Sequence, residues 1–287
     1  MAAGNETTDD SMSFVSRRPR HSLLQGLVDR VWCSKLGPSH TISETRVEWV
    51  LPTCRAQIIL TPSGSVLVGP KVIAEKIERQ VRTPMVGVVL TADAVPAFLG
   101  HGGGELIGLT VPLDTAMALG SLPEQLAEQT ADTTQGGTTP SETALNTVEA
   151  EMVKRLKGPS IDRTVVAVER AIRGGHSAGA TIARLGVDRR TFVPKFRSTV
   201  GVAPKHYERI CRFNRAVENV RRPDARSLAS IAADHGFADQ AHLTREVRHF
   251  ALTSPALIHR DGSRMVNHIE PDKIFKTGPN RKTTMRS

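Results

Sequence analysis

The side chains best suited to chemistry in this chain lie near its C-terminal end, between residues 239 and 248. Leu243, Val247 and Phe250 recur at intervals of four and three, a spacing that predicts one buried stripe on a helix. The side chains between them then form an outer face of amide, imidazole, hydroxyl and guanidinium groups. Such groups can bond the base edges and phosphates of duplex DNA. The candidate DNA-binding residues on this face are Gln240, Ala241, His242, Thr244, Arg245 and Arg248.

A shorter helix is predicted just before this one, so the pair forms a helix-turn-helix pattern. Ser227 is a good N-cap for the first helix, and Leu228 and Ile231 begin its apolar face. Gly236 can adopt the left-handed conformation that ends such a helix, and Asp239 can cap the next one. Units of this kind place their second helix in the major groove of DNA.

This segment resembles the second helix-turn-helix unit of the AraC/XylS family of bacterial transcription regulators. The resemblance is carried by residues 231–232 (IA), 236–240 (GFADQ), 242–245 (HLTR) and 254–255 (SP). Where that family usually has a Phe, this chain has the smaller Val247. The resemblance implies two helix-turn-helix units joined by a connecting helix, which we expect over residues 207–220.

The other unit of the pair is predicted over residues 178–197, where the chain departs from the family. Arg189 and Arg190 follow the expected cap Asp188 and are candidate DNA-binding residues. Val193 offers no hydrogen bond where that family usually has polar or basic residues. Pro194 removes a backbone hydrogen bond inside the helix, at a cost of about 3 kcal/mol or a kink. The second unit is therefore expected to carry most of the base recognition.

Charge divides the chain into an acidic and a basic part. Residues 1–154 hold 12 Lys and Arg against 17 Asp and Glu, whereas residues 155–262 hold 20 against 10. A basic half suits a polyanion, and nucleic acid is favoured over a membrane because a basic amphipathic helix with a membrane-type apolar face is absent from the sequence. We expect a disordered leader over residues 1–20, an N-terminal domain over 21–157, a DNA-binding domain over 161–262 and a basic tail over 263–287.

The N-terminal half is predicted to be β-rich, because short apolar runs alternate with turn sequences. Runs at residues 57–60 (QIIL) and 65–68 (SVLV) end at turn sequences that contain Pro and Gly, and residues 85–90 (MVGVVL) predict another buried strand. Residues 101–104 (HGGG) are expected to form a flexible loop. The fold class is therefore predicted as α+β, with a β-rich N-terminal domain followed by an all-α C-terminal domain with two helix-turn-helix units.

Short motifs in this half resemble the N-terminal domain of one branch of AraC-type regulators. They lie at residues 50–52 (VLP), 69–70 (GP), 86–88 (VGV) and 111–114 (VPLD). The resemblance implies a sensory or dimerisation domain. A small-molecule effector and a second copy of the chain are therefore candidate partners, and RNA polymerase is a further one.

One motif argues for an enzyme instead. Residues 175–179 (GHSAG) fit the G-x-S-x-G pattern of the nucleophile elbow, in which Ser177 would be the nucleophile of an α/β-hydrolase-type esterase. That pattern needs a strand before the serine, whereas residues 161–173 have helical periodicity. Ser177 is better interpreted as the N-cap of the helix that follows it. No catalytic residue is predicted.

Metal and cofactor chemistry is not predicted either. The histidines of the N-terminal half, His21, His40 and His101, lack the spacing of metal ligands, and the cysteines lack a C-x-x-C pair. A third class of function is an interaction module that uses the basic half to bind RNA or a protein. The sequence lacks a membrane-length apolar run and a signal peptide. It therefore predicts a cytoplasmic transcription regulator that binds double-stranded DNA and needs no cofactor.

Overall fold

A computed structural model describes residues 13–35, 45–61, 64–80, 85–100, 102–113, 120–131, 140–157, 162–222, 226–260 and 265–266. Within these ranges a β-rich N-terminal half precedes a helical C-terminal half, so the predicted α+β class is confirmed. The described helices are all too short or too polar to cross a membrane. The boundary expected at residues 158–160 lies outside the described residues.

The larger sheet joins six of the described strands in the order β1-β2-β7-β4-β5-β8, and each pair of neighbours is antiparallel. Its strands alternate apolar residues between two faces, as the period of two requires. Ile58 and Val88 lie in one buried cluster, whereas Ile59 and Val89 lie in another on the opposite face. The strands are β1 (Ser13–Arg17), β2 (Val28–Lys35), β4 (Gln57–Thr61), β5 (Gly64–Val68), β7 (Val86–Leu90) and β8 (Thr110–Pro112).

Helices α1 (Val95–Leu99), α2 (Leu122–Ala131) and α3 (Pro140–Lys154) cover one face of this sheet. Leu145, Val148 and Met152 form the buried stripe of α3 on this face. Arg17 of β1 forms an ion pair with Glu149 of α3, which fixes the edge strand to this helix. The prediction of a disordered leader is therefore wrong for residues 13–17, which pair in register with β2.

The smaller sheet consists of β3 (Thr45–Val50), β6 (Glu75–Gln80) and β9 (Met265–Val266) among the described residues. Strand β9 comes from the segment expected to be a basic tail, and it pairs in parallel with β3. Part of that tail therefore returns to the N-terminal half, a contact that the tail's composition did not indicate.

The C-terminal half packs its helices around the long connecting helix Pro204–Val220, named α7. Aromatic residues fill the centre, and Phe196, Tyr207, Phe213 and Phe250 are at most 1% exposed. The helices are α4 (Arg163–Arg173), α5 (Ala178–Arg184), α6 (Arg189–Val200), α7 (Pro204–Val220), α8 (Leu228–Asp234), α9 (Gln240–Ala251) and α10 (Pro255–Arg260).

The two halves share one buried apolar cluster. Leu51, Cys54 and Ala74 of the N-terminal half belong to the same cluster as the core of the C-terminal helices. The backbone N–H of Ala74 donates to the carbonyl oxygen of Phe250 at 2.8 Å, and the Asn214 amide donates to the carbonyl oxygen of Pro52 at 2.8 Å. The halves are therefore in close contact, whereas the charge pattern of the sequence indicated only that their functions differ.

The glycine-rich segment after α1 forms part of this contact. A Cβ atom at Gly102 would overlap the carbonyl oxygen of Ser198, and one at Gly103 would lie 2.9 Å from the carbonyl oxygen of Thr199. Both partners belong to the last turn of α6. The expectation of a flexible loop is therefore wrong for residues 102–104, because the absence of side chains lets one backbone lie directly on another.

Candidate nucleic-acid interface

The second helix-turn-helix unit is formed by α8 and α9. The Ser227 hydroxyl accepts a hydrogen bond from the backbone N–H of Ser230 at 3.2 Å. The Asp239 carboxylate accepts one from the N–H of His242 at 2.6 Å. Gly236 has a φ of +70°, the left-handed conformation that the turn requires. Both N-caps and the turn glycine are therefore at the predicted positions.

The outer face of α9 is open to solvent. Leu243, Val247 and Phe250 are completely buried and hold the helix on the core. Among the predicted DNA-binding residues, the exposed ones on this helix are Gln240, Ala241, Arg245 and Arg248.

The remaining two predicted residues of α9 are half-buried and already engaged. The imidazole of His242 accepts a hydrogen bond from the N–H of Ala238 at 3.2 Å and lies edge-on to Phe237, with 5.4 Å between ring centroids. The Thr244 hydroxyl donates to the carbonyl oxygen of Gln240 at 2.9 Å. The side chains of His242 and Thr244 therefore lie against the recognition helix α9 and its turn more than they extend into solvent.

The first unit is formed by α5 and α6. The Asp188 carboxylate accepts hydrogen bonds from the N–H groups of Arg190 and Thr191, at 3.3 and 3.2 Å, so the predicted cap is in place. Arg189 and Arg190 are exposed in the first turn of α6. That turn is the part of a recognition helix that contacts base edges in helix-turn-helix proteins.

Pro194 lies inside α6, which nevertheless runs from Arg189 to Val200. Lys195, the next residue, forms an ion pair with Asp162, the N-cap of α4. Hydrogen bonding from Lys195 and the charge on it lower the pKa of that carboxylate, together with the N–H groups that it caps. In the middle of α6, Val193 is therefore half-buried and Lys195 is already paired with the N-cap of α4.

Charged residues of α7 contact both units. Arg209 holds Glu246 of α9 through two hydrogen bonds of 3.1 and 2.8 Å. Glu208 accepts a hydrogen bond of 2.9 Å from the N–H of Ala178 in α5 and pairs with Arg212 at 2.7 Å. These contacts hold α9 of the second unit and α5 of the first unit on α7. Positive charge alone, read from the sequence, could not distinguish such structural arginines from DNA-binding ones.

The same contacts set the ionisation of the carboxylates. Burial would raise the pKa of Glu246, but the hydrogen bonds and the charge of Arg209 outweigh it, and the pKa is lowered. The pKa of Glu208 is also lowered, because Lys205, the Ala178 N–H and Arg212 outweigh the effect of burial. Both carboxylates therefore remain ionised at neutral pH and keep their arginine partners.

The geometry at Ser177 differs from that of a nucleophile elbow. The segment before it is helix α4, not a strand, and the Ser177 hydroxyl accepts a hydrogen bond from the N–H of Ala180 at 3.4 Å. This serine is the N-cap of α5, which follows from the preference of serine for that position.

Comparison with known proteins agrees with the presence of helix-turn-helix units. A family model described as a helix-turn-helix domain matches residues 182–260, which include most of both units. No curated protein matches the chain. The solved structures that it resembles include an apo variant of ToxT from Vibrio cholerae strain SCE256. The two chains are 10% identical, with a TM-score of 0.45 and coverage of 87% of this chain and 98% of that one.

Another similar structure is wild-type ToxT from the same strain with bound unsaturated fatty acid. It is 10% identical, with a TM-score of 0.35 and coverage of 78% of this chain and 98% of that one. Scores this low do not establish a shared fold, so the assignment depends on the family match and on the geometry above. Residues 182–260 are a helix-turn-helix domain. The prediction of helix-turn-helix units in the C-terminal half is thereby confirmed.

Proposed function

We propose that this protein is a sequence-specific transcription regulator that binds double-stranded DNA through α6 and α9. The observation that carries the proposal is the outer face of α9, where Gln240, Arg245 and Arg248 are exposed on a capped helix whose opposite face is buried. Arginine can bond guanine and glutamine can bond adenine through paired hydrogen bonds. The exposed Arg189 and Arg190 add a second contact from α6.

The binding reaction itself provides the first test. We expect the full-length protein to select a defined sequence from a random duplex library and to bind it with an affinity that falls steeply as salt rises. Each phosphate neutralised by an arginine contributes about −0.9 to the slope of log affinity against log salt. Fluorescence anisotropy on the selected duplex measures this slope, and a flat response would contradict DNA binding. Single-stranded RNA of the same sequence serves as the control for an RNA-binding module.

We propose further that a small anionic effector binds between the two halves. A cavity of about 420 Å³ lies there, a volume typical of small-molecule sites. Arg30, Arg55, Arg173 and Arg215 line it, and the first three contact one carboxylate, that of Asp29, at 3.4, 2.7 and 3.4 Å. The lining therefore carries more positive than negative charge, which favours a carboxylate or a phosphate ester.

A polar group without a partner adds to this argument. Among the described residues, the side-chain oxygen of Asn214 is buried at the cavity with no hydrogen-bond partner, although the amide nitrogen bonds Pro52. It could accept a bond from a hydroxyl or amide group of the effector. The cavity therefore offers the charge and one hydrogen-bonding group that a specific anionic ligand would use. An effector site for the N-terminal half was predicted, but this cavity also includes residues of α4 and α7.

The effector proposal predicts selective thermal stabilisation. We expect octanoate or naphthoate to raise the melting temperature, because each anion would neutralise the arginine excess, whereas octanamide and naphthamide should not. Differential scanning fluorimetry measures the shift, and Arg215→Gln should reduce it. Arg197→Gln, which removes an exposed arginine from α6, is the matched control. Equal shifts with acids and amides would show that charge does not direct binding.

Homodimerisation and contact with RNA polymerase stay predictions.

A further inference from the structure

Two buried carboxyl groups, one from each half, lie near the contact between the halves, where Ala92, the neighbour of Asp93, belongs to the shared apolar cluster. Asp93 lies in the turn between β7 and α1 and is 1% exposed, and Glu169 lies on α4 and is completely buried. Each is within electrostatic reach of the same arginine, Arg173, and the charge of Asp93 acts on Glu169. Two acids brought together in this way are unusual, because burying a charged group is costly unless it is paired.

The pairing of these groups is incomplete. One oxygen of Glu169 accepts a hydrogen bond from the Tyr207 hydroxyl at 2.6 Å and lies 3.5 Å from the Arg173 guanidinium. Its other oxygen and both oxygens of Asp93 have no hydrogen-bond partner among the described residues. Nearby Thr91 directs its hydroxyl to the carbonyl oxygens of Gly26 and Leu27. A proton on either acid would therefore reduce a desolvation penalty that the surroundings do not fully offset.

The charged and titratable groups around the pair come from four elements. Arg170 and Arg173 lie on α4 with Glu169 itself, and Arg55 lies in the segment before β4. Asp29 on β2 contacts Arg55 and Arg173 and takes up part of their charge. On α7, Tyr207 bonds Glu169, and Cys211 is influenced by the charge of Glu169.

The balance of these influences favours protonation at unusually high pH. Burial raises the pKa of Asp93. The nearby Thr91 hydroxyl and the backbone N–H of Asp93 lie outside hydrogen-bonding geometry, so these dipoles and the two arginines of α4 oppose the effect of burial only in part. Burial also raises the pKa of Glu169 against the effects of Arg173 and Tyr207, and the charge of Asp93 raises it further. When the halves separate, both groups become hydrated and return towards their ordinary values.

We propose that Asp93 and Glu169 form an acid-sensing latch, in which protonation of the pair strengthens the contact between α4 and the N-terminal half. The sign follows from linkage. The closed arrangement binds protons more tightly than the open one, so the contact strengthens as pH falls through the raised pKa values. The contact stops strengthening once the pH is below about 4, the ordinary pKa of a carboxyl group, because both arrangements are then protonated.

The test compares hydrogen exchange in full-length wild type and Asp93→Asn at equal pH, so that the intrinsic exchange rate cancels. Asn keeps the shape of the protonated acid but cannot ionise. At pH 8 we expect peptides from residues 163–173 to exchange more slowly in Asp93→Asn, roughly ten-fold for each unit by which the native pKa is raised. At pH 5 this difference should be smaller, and it should vanish below about pH 4, where the acid is protonated in both the closed and the open arrangement.

The controls separate titration from a structural role. Glu124→Gln removes an exposed carboxylate from α2 and should match wild type at both pH values. Glu169→Gln keeps an acceptor for the Tyr207 hydroxyl and should reproduce the effect of Asp93→Asn. If Asp93→Asn does not fold, Glu169→Gln is the variant that decides. A ratio of exchange rates that is the same at pH 5 and pH 8 in the folded variants would overturn the proposal. Because the measurement contains no DNA, its outcome is independent of the proposed DNA binding.

Discussion

Arg245 and Arg190 have the same side chain but different surroundings, and we expect them to have different roles. Arg245 lies among exposed polar groups of α9, whereas Arg190 lies one turn before the half-buried Val193 and the exposed Pro194 of α6. Arg245→Ala should weaken specific binding by about 1–3 kcal/mol and relax the preference at one base pair. Arg190→Ala should lower affinity evenly across sequences, as loss of a phosphate contact does.

Selection of binding sites from a random library with both variants measures this difference. Lys154→Ala, which removes one exposed charge from α3 in the other half, controls for a general effect of net charge. The assignment would be reversed if Arg190→Ala reshaped the selected motif while Arg245→Ala left it intact.

At the scale of elements, the contact between residues 102–104 and the end of α6 makes a prediction about glycine. Gly102→Ala places a methyl group against the carbonyl oxygen of Ser198, and the backbone must move to admit it. We expect a loss of about 1–3 kcal/mol in unfolding free energy, the usual cost of overpacking. Urea denaturation measures it, and faster hydrogen exchange in residues 189–200 would locate it.

Gly179→Ala is the matched control. A Cβ atom there meets only the Ser177 hydroxyl oxygen, at 3.9 Å, and alanine is favoured over glycine inside a helix. This variant should be as stable as wild type or more so. Equal losses in the two variants would mean that the contact at Gly102 is not specific.

The elements that could be predicted from sequence are those governed by local rules. The caps Ser177, Asp188, Ser227 and Asp239 were correct because a side-chain oxygen next to free N–H groups needs no tertiary contact. The reading helices followed from the spacing of their buried residues. Local rules also predicted a flexible segment at 102–104, since glycine is equally suited to a loop and to close backbone packing.

Contacts between distant segments could not be derived in this way. The pairing of β9 with β3 and the paired arginines of α7 depend on which elements become neighbours after folding. Likewise, the sequence predicts His242 as a DNA contact, whereas in the structure its ring packs against Phe237. The DNA-binding role of the candidate residues therefore stays a prediction, and the structure adds which of them are exposed.

For the whole molecule, both reading helices contact the N-terminal half at their C-terminal ends. Residues 102–104 contact the last turn of α6, and the Ala74 N–H bonds the carbonyl oxygen of Phe250 near the end of α9. The opposite ends, which carry Arg189 and Gln240, remain exposed. This arrangement lets the N-terminal half set the relative orientation of the two helices without covering the surface proposed to meet DNA.

The predicted domain boundary can be tested against this arrangement with the fragment 161–262. Its caps and its aromatic core are complete, so we expect a folded helical fragment that still binds the selected duplex. It loses Leu51, Cys54 and Ala74 from the shared cluster, and the burial of Leu51 alone is worth about 1.5–3 kcal/mol. The fragment should therefore melt at a lower temperature than the full chain and bind DNA more weakly, because α6 and α9 are no longer held at both ends.

Circular dichroism and anisotropy measure the two effects. A fragment without helical signal would show that the C-terminal half cannot fold alone, and equal affinity would show that the N-terminal half does not orient the reading helices.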